Sequence, residues 1–122
     1  MPIQHELDRH ERLIRTTVSG PVTLADVRQY VGDVRRAGKH SVPELIDARN
    51  VEPAGLSARD MLAVAHFARR TFDDHNVARR AVIVKDDSTF GIARTFSSLV
   101  AGWLRLGVFD DQTDAETWLR QA

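Results

Sequence analysis

Asp47, Arg49 and Asn50 close one predicted strand, and Lys85, Asp86, Asp87 and Ser88 follow another. In an open parallel sheet, ligands bind just beyond the carboxyl ends of the strands. Three carboxylates gathered there could hold Mg²⁺ through oxygen ligands. The same residues also have a plainer use. Asp86, Asp87 and Ser88 suit a turn and a helix N-cap, where short polar side chains bond free backbone N–H groups. Asp47, at the end of its strand, suits a bond to the backbone N–H of a neighbouring loop. A phosphate-accepting receiver would carry an acidic pair after the first strand and a Lys after the last, and neither is present. We therefore expect no metal site.

Phe90-Gly-Ile-Ala-Arg94 stands at the mouth of a predicted helix, where free N–H groups and the helix dipole favour an anion. Gly91 would permit close approach and Arg94 would add a charged clamp, but phosphate loops carry several glycines rather than one. His5, His10, His40, His66 and His75 show no metal-binding spacing; His5 is expected to pack in its strand and the others to be solvated. No Gly-x-Ser-x-Gly elbow supports a nucleophilic role for Ser19, Ser88, Ser97 or Ser98. The Arg35-Arg36, Arg69-Arg70 and Arg79-Arg80 pairs are assigned to solvated faces. With no catalytic constellation, the expectation is a protein that is not an enzyme and has no cofactor.

The elements that position these residues follow from periodicity. Ile3, His5 and Leu7 alternate with polar residues, and Arg12–Val18 is rich in β-branched side chains, so an antiparallel hairpin is expected. Thr23 caps a helix with Asp26 in its first turn; Leu24, Val27, Val31 and Val34 share one stripe flanked by Tyr30, and Gly38 ends it. Val42–Asp47 is a strand with Pro43 near its start. Ser57 opens a second helix that buries Met61, Val64, Ala65, Ala68 and Phe72. Phe67 lies about 120° from the centre of that stripe on the wheel, which makes it a candidate exposed aromatic. Ala81-Val-Ile-Val84 reads as a strand covered on both faces. A third helix is expected from Phe90 to Leu106, capped by Gly107, with an unusually wide apolar stripe of Ile92, Ala93, Phe96, Leu99, Val100 and Trp103. Val108-Phe109 is a stub strand, and a last helix from Thr113 presents Ala115, Trp118 and Leu119. The order is ββαβαβαβα: α/β, one domain over residues 1–122, a mixed and mostly parallel sheet with helices packed against it.

Composition narrows the function classes. At 122 residues the chain can bury one core. Lys+Arg and Asp+Glu are both 17, so the basic excess of a nucleic-acid binder is missing. The cations are 15 Arg and 2 Lys, a ratio read as composition bias. Without Cys there is no disulfide, thiolate metal site or cysteine nucleophile. Met1–Asp8 lacks a basic region followed by an apolar run, and no stretch approaches about 18 apolar residues. A cytoplasmic protein without a membrane span is expected.

The run Ala81-Val-Ile-Val-Lys-Asp-Asp-Ser-Thr-Phe-Gly-Ile-Ala-Arg94, followed by Val108-Phe-Asp-Asp-Gln-Thr-Asp-Ala-Glu-Thr-Trp-Leu119, resembles the tail of the SpoIIAA-like group of the STAS superfamily. The strand ending Leu45-Ile-Asp47 is similar to that group's L-x-D strand. The resemblance implies a STAS-like domain acting as a non-enzymatic interaction or regulatory module, with anti-sigma-factor antagonism as the best-known role. It also implies a phosphosite at the start of the helix after the central strand, for which Ser57 is the nearest match. The antagonists' contiguous Asp-Ser motif is absent, because Asp47 and Ser57 stand ten residues apart. Relatives in the superfamily are also compared with lipid-transfer domains. Two readings follow: a module with a protein partner, self-associating as a homodimer, or a carrier or sensor of a small apolar, lipid-like ligand. Asp47, Asp86, Phe90, Gly91, Arg94 and Phe67 are the candidate ligand- or partner-binding residues.

Overall fold

β1 (Ile3–Asp8) runs antiparallel to β2 (Leu13–Pro21), with Ile3 opposite Val18 and Asp8 opposite Leu13. The hairpin turns through Arg12, whose φ of 55° is the left-handed value a tight reversal demands. The computed structural model describes residues 2–52, 55–72 and 76–121. After the hairpin come α1 (Leu24–Arg36), β3 (Glu44–Glu52), α2 (Ala58–Thr71), β4 (Arg80–Ile83), α3 (Asp87–Val100), β5 (Leu106–Phe109) and α4 (Gln112–Leu119). The strands lie in the order β1-β2-β3-β4-β5, and β2 to β5 are all parallel. The single domain and the mixed sheet are those expected from the sequence.

The caps explain where the helices start. Thr23 and Asp26 exchange side-chain-to-backbone bonds at 3.2 and 3.0 Å, and Ser57 and Asp60 do the same at 3.1 and 2.9 Å. Each is a capping box that satisfies two otherwise free N–H groups. Gly38, at φ 69°, follows the last turn of α1 and lets the chain reverse without a Cβ penalty.

Period-two alternation sorts the sheet into two faces. Leu13, Leu45, Ala81 and Ile83 point to α4 and form one core cluster with its Ala115 and Leu119. Thr16, Glu44, Ile46, Val82 and Val84 point to the other side, beneath α1, α2 and α3. There Val31 and Val34 of α1 meet Ala68 of α2 and Phe72 beyond it. All five residues expected to form the apolar face of α2 are buried.

Four boundaries differ from the sequence reading. β3 continues five residues past Asp47, so Asp47 is mid-strand; the strand bulges where Thr17–Ser19 faces Asp47–Asn50. α3 begins at Asp87 and ends at Val100, six residues before Leu106. The N–H groups of Trp103 and Leu104 both donate to the Val100 carbonyl, at 3.0 and 2.9 Å, and turn the chain there. Apolar residues continue beyond that point because Trp103, Leu104 and Leu106 still face the interior, although the backbone is no longer helical. Gly107 is therefore not a helix cap but a residue of β5. A Cβ on it would stand 2.6 Å from the Phe109 ring and 3.3 Å from Trp118, so glycine is required by close packing. Finally, α4 starts at Gln112 because Asp111 caps it, accepting from the N–H groups of Thr113 and Asp114 at 2.7 and 3.3 Å.

Candidate ligand-binding cavity

α3 carries the widest apolar stripe in the chain, yet it does not seat that stripe on the sheet. Thr89 and Val100, near its two ends, are buried, whereas Ile92, Ala93 and Phe96 between them are only half-buried. Leu99, expected to be buried, is 40% exposed. The helix is held at its ends and stands off in the middle. Beneath it, between the sheet and α1–α3, lies a partly open cavity of about 250 Å³. Val18, Ile46, Val82 and Val84 form its floor, Val27, Met61 and Val64 part of its walls, and Ile92, Ala93 and Phe96 its roof.

The lining holds one concentrated polar group. Glu44 and Arg80 are the first residues of β3 and β4 and lie side by side in the ladder. They are 1% and 6% exposed, and Arg80 Nε stands 3.3 Å from Glu44 Oε1. Glu44 Oε2 accepts from the hydroxyls of Thr16 on β2 and Tyr30 on α1. Arg80 donates onward to the carbonyls of Val42 (2.6 Å), Ala78 (3.0 Å) and Lys39 (3.1 Å). Burial, followed by the nearby Glu44 charge, holds the Tyr30 phenol well above its ordinary pKa. The Tyr30 O–H therefore stays protonated and donating. The His5 ring packs edge-on against Tyr30, with centroids 5.7 Å apart, and Lys39 Nζ lies 3.1 Å from His5 Nδ1.

This quartet was not among the residues singled out from the sequence. Arg80, expected with Arg79 on a solvated face, is instead buried beside Glu44 by the parallel register. The available signal was period two, since Glu44 shares a face with Ile46, and Arg80 with Val82. His40 likewise is not solvated but half-buried against Phe72, with centroids 5.6 Å apart. His10 and His66 are exposed, and His75 lies outside the described residues.

The residues that were singled out are scattered. Asp47 faces the α4 side, where it accepts from the Arg49 backbone N–H at 3.1 Å and from its guanidinium at 2.9 and 2.8 Å. That guanidinium holds the Asp47 carboxyl below its ordinary pKa. The expected loop partner is thus replaced by a residue of the same strand, and removing Asp47 would leave no deeply buried donor. Asp86 is the N-cap of α3, lowered in pKa by the Thr89 N–H that it accepts at 2.8 Å. Nothing would crowd a Cβ on the exposed Gly91, and Arg94 lies over the ring of Phe90, 5.6 Å from its centroid, rather than at the helix mouth. Phe67 is half-buried between helices with Arg28 above it at 5.9 Å. Ser57 Oγ is engaged in its capping box. Among the described residues, no three His, Asp or Glu side chains converge to hold a metal ion, and no helix is long and apolar enough to cross a membrane.

Comparison with known proteins places this architecture. A crystal structure of an uncharacterised protein from Shewanella loihica with a SpoIIAA-like fold is similar at 22% identity and a TM-score of 0.61, covering 96% of this chain and 91% of that one. An anti-sigma factor antagonist from Mycobacterium paratuberculosis is similar at 18% identity and a TM-score of 0.60, covering 98% and 95%. At these identities the likeness is one of fold. No curated protein matches. A family model described as SpoIIAA-like matches residues 13–120, and the chain belongs to the SpoIIAA-like family.

Proposed function

We propose that this protein is a non-enzymatic binding module that carries or senses a small apolar ligand held between the sheet and α3. The observation that carries this reading is the cavity. Because it is partly open, its cost is that of apolar wall left facing solvent, about 25 cal/mol for each Å² of that wall. Water is a poor occupant of most of this volume, because it needs two to four polar partners and the lining away from the quartet is almost wholly apolar. An apolar occupant removes the cost. The volume exceeds the roughly 150 Å³ known to hold benzene and falls just short of the about 300 Å³ at which ordinary ligand pockets begin, so the occupant is small.

Filling the space tests the reading. Ala93, on the roof, sits in a helix and is half-buried, so Ala93→Phe can project a ring inward at a helix-propensity cost of only about 0.5 kcal/mol. The wild type is expected to take up N-phenyl-1-naphthylamine with enhanced fluorescence. Ala93→Phe should bind it at least tenfold more weakly while melting within a few degrees of the wild type. Equal uptake by both proteins would remove the cavity as the binding site.

A second reading, a self-associating partner-binding module, is supported by Leu62 on α2 and Leu99 on α3, which are 45% and 40% exposed on adjacent helices. A partner laid across both helices would take these side chains out of water. Light scattering at micromolar concentration should report a dimer that Leu62→Glu returns to a monomer. A wild-type monomer would dismiss this reading and leave the cavity untouched.

A further inference from the structure

The Glu44 quartet gives the cavity a chemical polarity beyond its size. It stands where β3 and β4 begin, and the lining continues along the sheet as far as Val84, just past β4. Arg80 and Val84 are four residue steps apart along extended chain, a span of about 13 Å. An elongated molecule can therefore lie along the sheet with one end at the quartet.

What that end must be follows from the hydrogen-bond inventory. The hydroxyl protons of Thr16 and Tyr30 are both given to Glu44. Arg80 is turned to Glu44 and to three backbone carbonyls. The donors are largely committed, whereas lone pairs remain on the Thr16 and Tyr30 oxygens and on the carboxylate. A ligand group that donates one hydrogen bond fits this surface. A ligand carboxylate would bring a second negative charge to Glu44 in a low-dielectric site, where like charges repel strongly. An ether or hydrocarbon end would leave those lone pairs facing an apolar atom.

We propose that the quartet selects a small neutral molecule with an apolar body and a single hydroxyl, and rejects fatty carboxylates of the same length. This inference rests on the cavity reading above and assigns Glu44, Tyr30, Thr16 and Arg80 as its specificity-determining residues.

Calorimetric titration of the full chain with 1-octanol, octanoate and heptyl methyl ether tests it. The three differ at one end in hydrogen-bond donation and charge. Octanol is expected to bind at least tenfold more tightly than either of the others. Comparable binding of all three, or tighter binding of octanoate, overturns the selection while leaving the cavity reading standing; no heat from any of them at either of two well-separated temperatures overturns both, since apolar burial carries a heat-capacity change that makes it visible at one of them. The variant Glu44→Gln removes the charge and leaves Arg80 cationic, so octanoate should gain at least tenfold. A folded Glu44→Gln protein that still rejects octanoate would remove Glu44 from the role. The wild-type series decides the question even if that variant does not fold.

Discussion

Glu44→Ala is expected to destabilise the protein by about 3–5 kcal/mol, the cost of removing one partner from a buried ion pair. The magnitude follows from what the substitution strands. Arg80, only 6% exposed, would keep its charge without a counter-ion, and the hydroxyls of Thr16 and Tyr30 would lose their common acceptor. Urea unfolding of wild type and variant measures the loss, and a shift below about 1 kcal/mol would show that the quartet is dispensable for stability. Replacing the whole pair is a different experiment. Glu44→Leu with Arg80→Met removes both charges, a change that is often neutral when nothing else depends on them. Here the carbonyls of Val42, Ala78 and Lys39 depend on Arg80, so the double variant should recover only part of the loss.

Trp118→Ala should cost about 3 kcal/mol, at the low end for a large aromatic because the ring is partly rather than fully buried. α4 is an eight-residue helix, too short to persist alone, and is held to the sheet by Ala115, Trp118 and Leu119. The Trp118 ring packs on Phe109 with centroids 5.6 Å apart and carries the Arg79 guanidinium 5.0 Å above it. Arg79 also donates to the Trp118 carbonyl at 2.9 Å, so the ring and the helix end share one partner. Removing the ring opens the space that Gly107 leaves for it. A urea titration showing a loss below about 1 kcal/mol would mean that α4 is secured by Ala115 and Leu119 alone.

The two predictions sit on opposite faces of the sheet, and they differ in how far the sequence foretold them. Trp118 was legible because Ala115, Trp118 and Leu119 repeat at helical spacing beside an apolar stub strand, which is local information. The caps at Thr23 and Ser57, the hairpin, and the two-sided cover of Ala81–Val84 were legible for the same reason. Each depends on residues within a few positions, where propensity, capping and period act directly.

The cavity and its quartet are of another kind. Thr16, Tyr30, Glu44 and Arg80 come from four elements spread over more than half the chain, and only the parallel register that sets Glu44 beside Arg80 brings them together. The width of the apolar stripe on α3 announced that something must cover it, but not that the helix would stand away from the sheet and leave room beneath. That depends on anchoring Thr89 and Val100 while Ile92, Ala93 and Phe96 remain half-buried. The sequence by itself determined the order and type of the elements, because those arise from short-range periodicity. Which charged residues are buried together, and where a void remains, was decided by tertiary packing, because both depend on contacts between residues far apart in the chain.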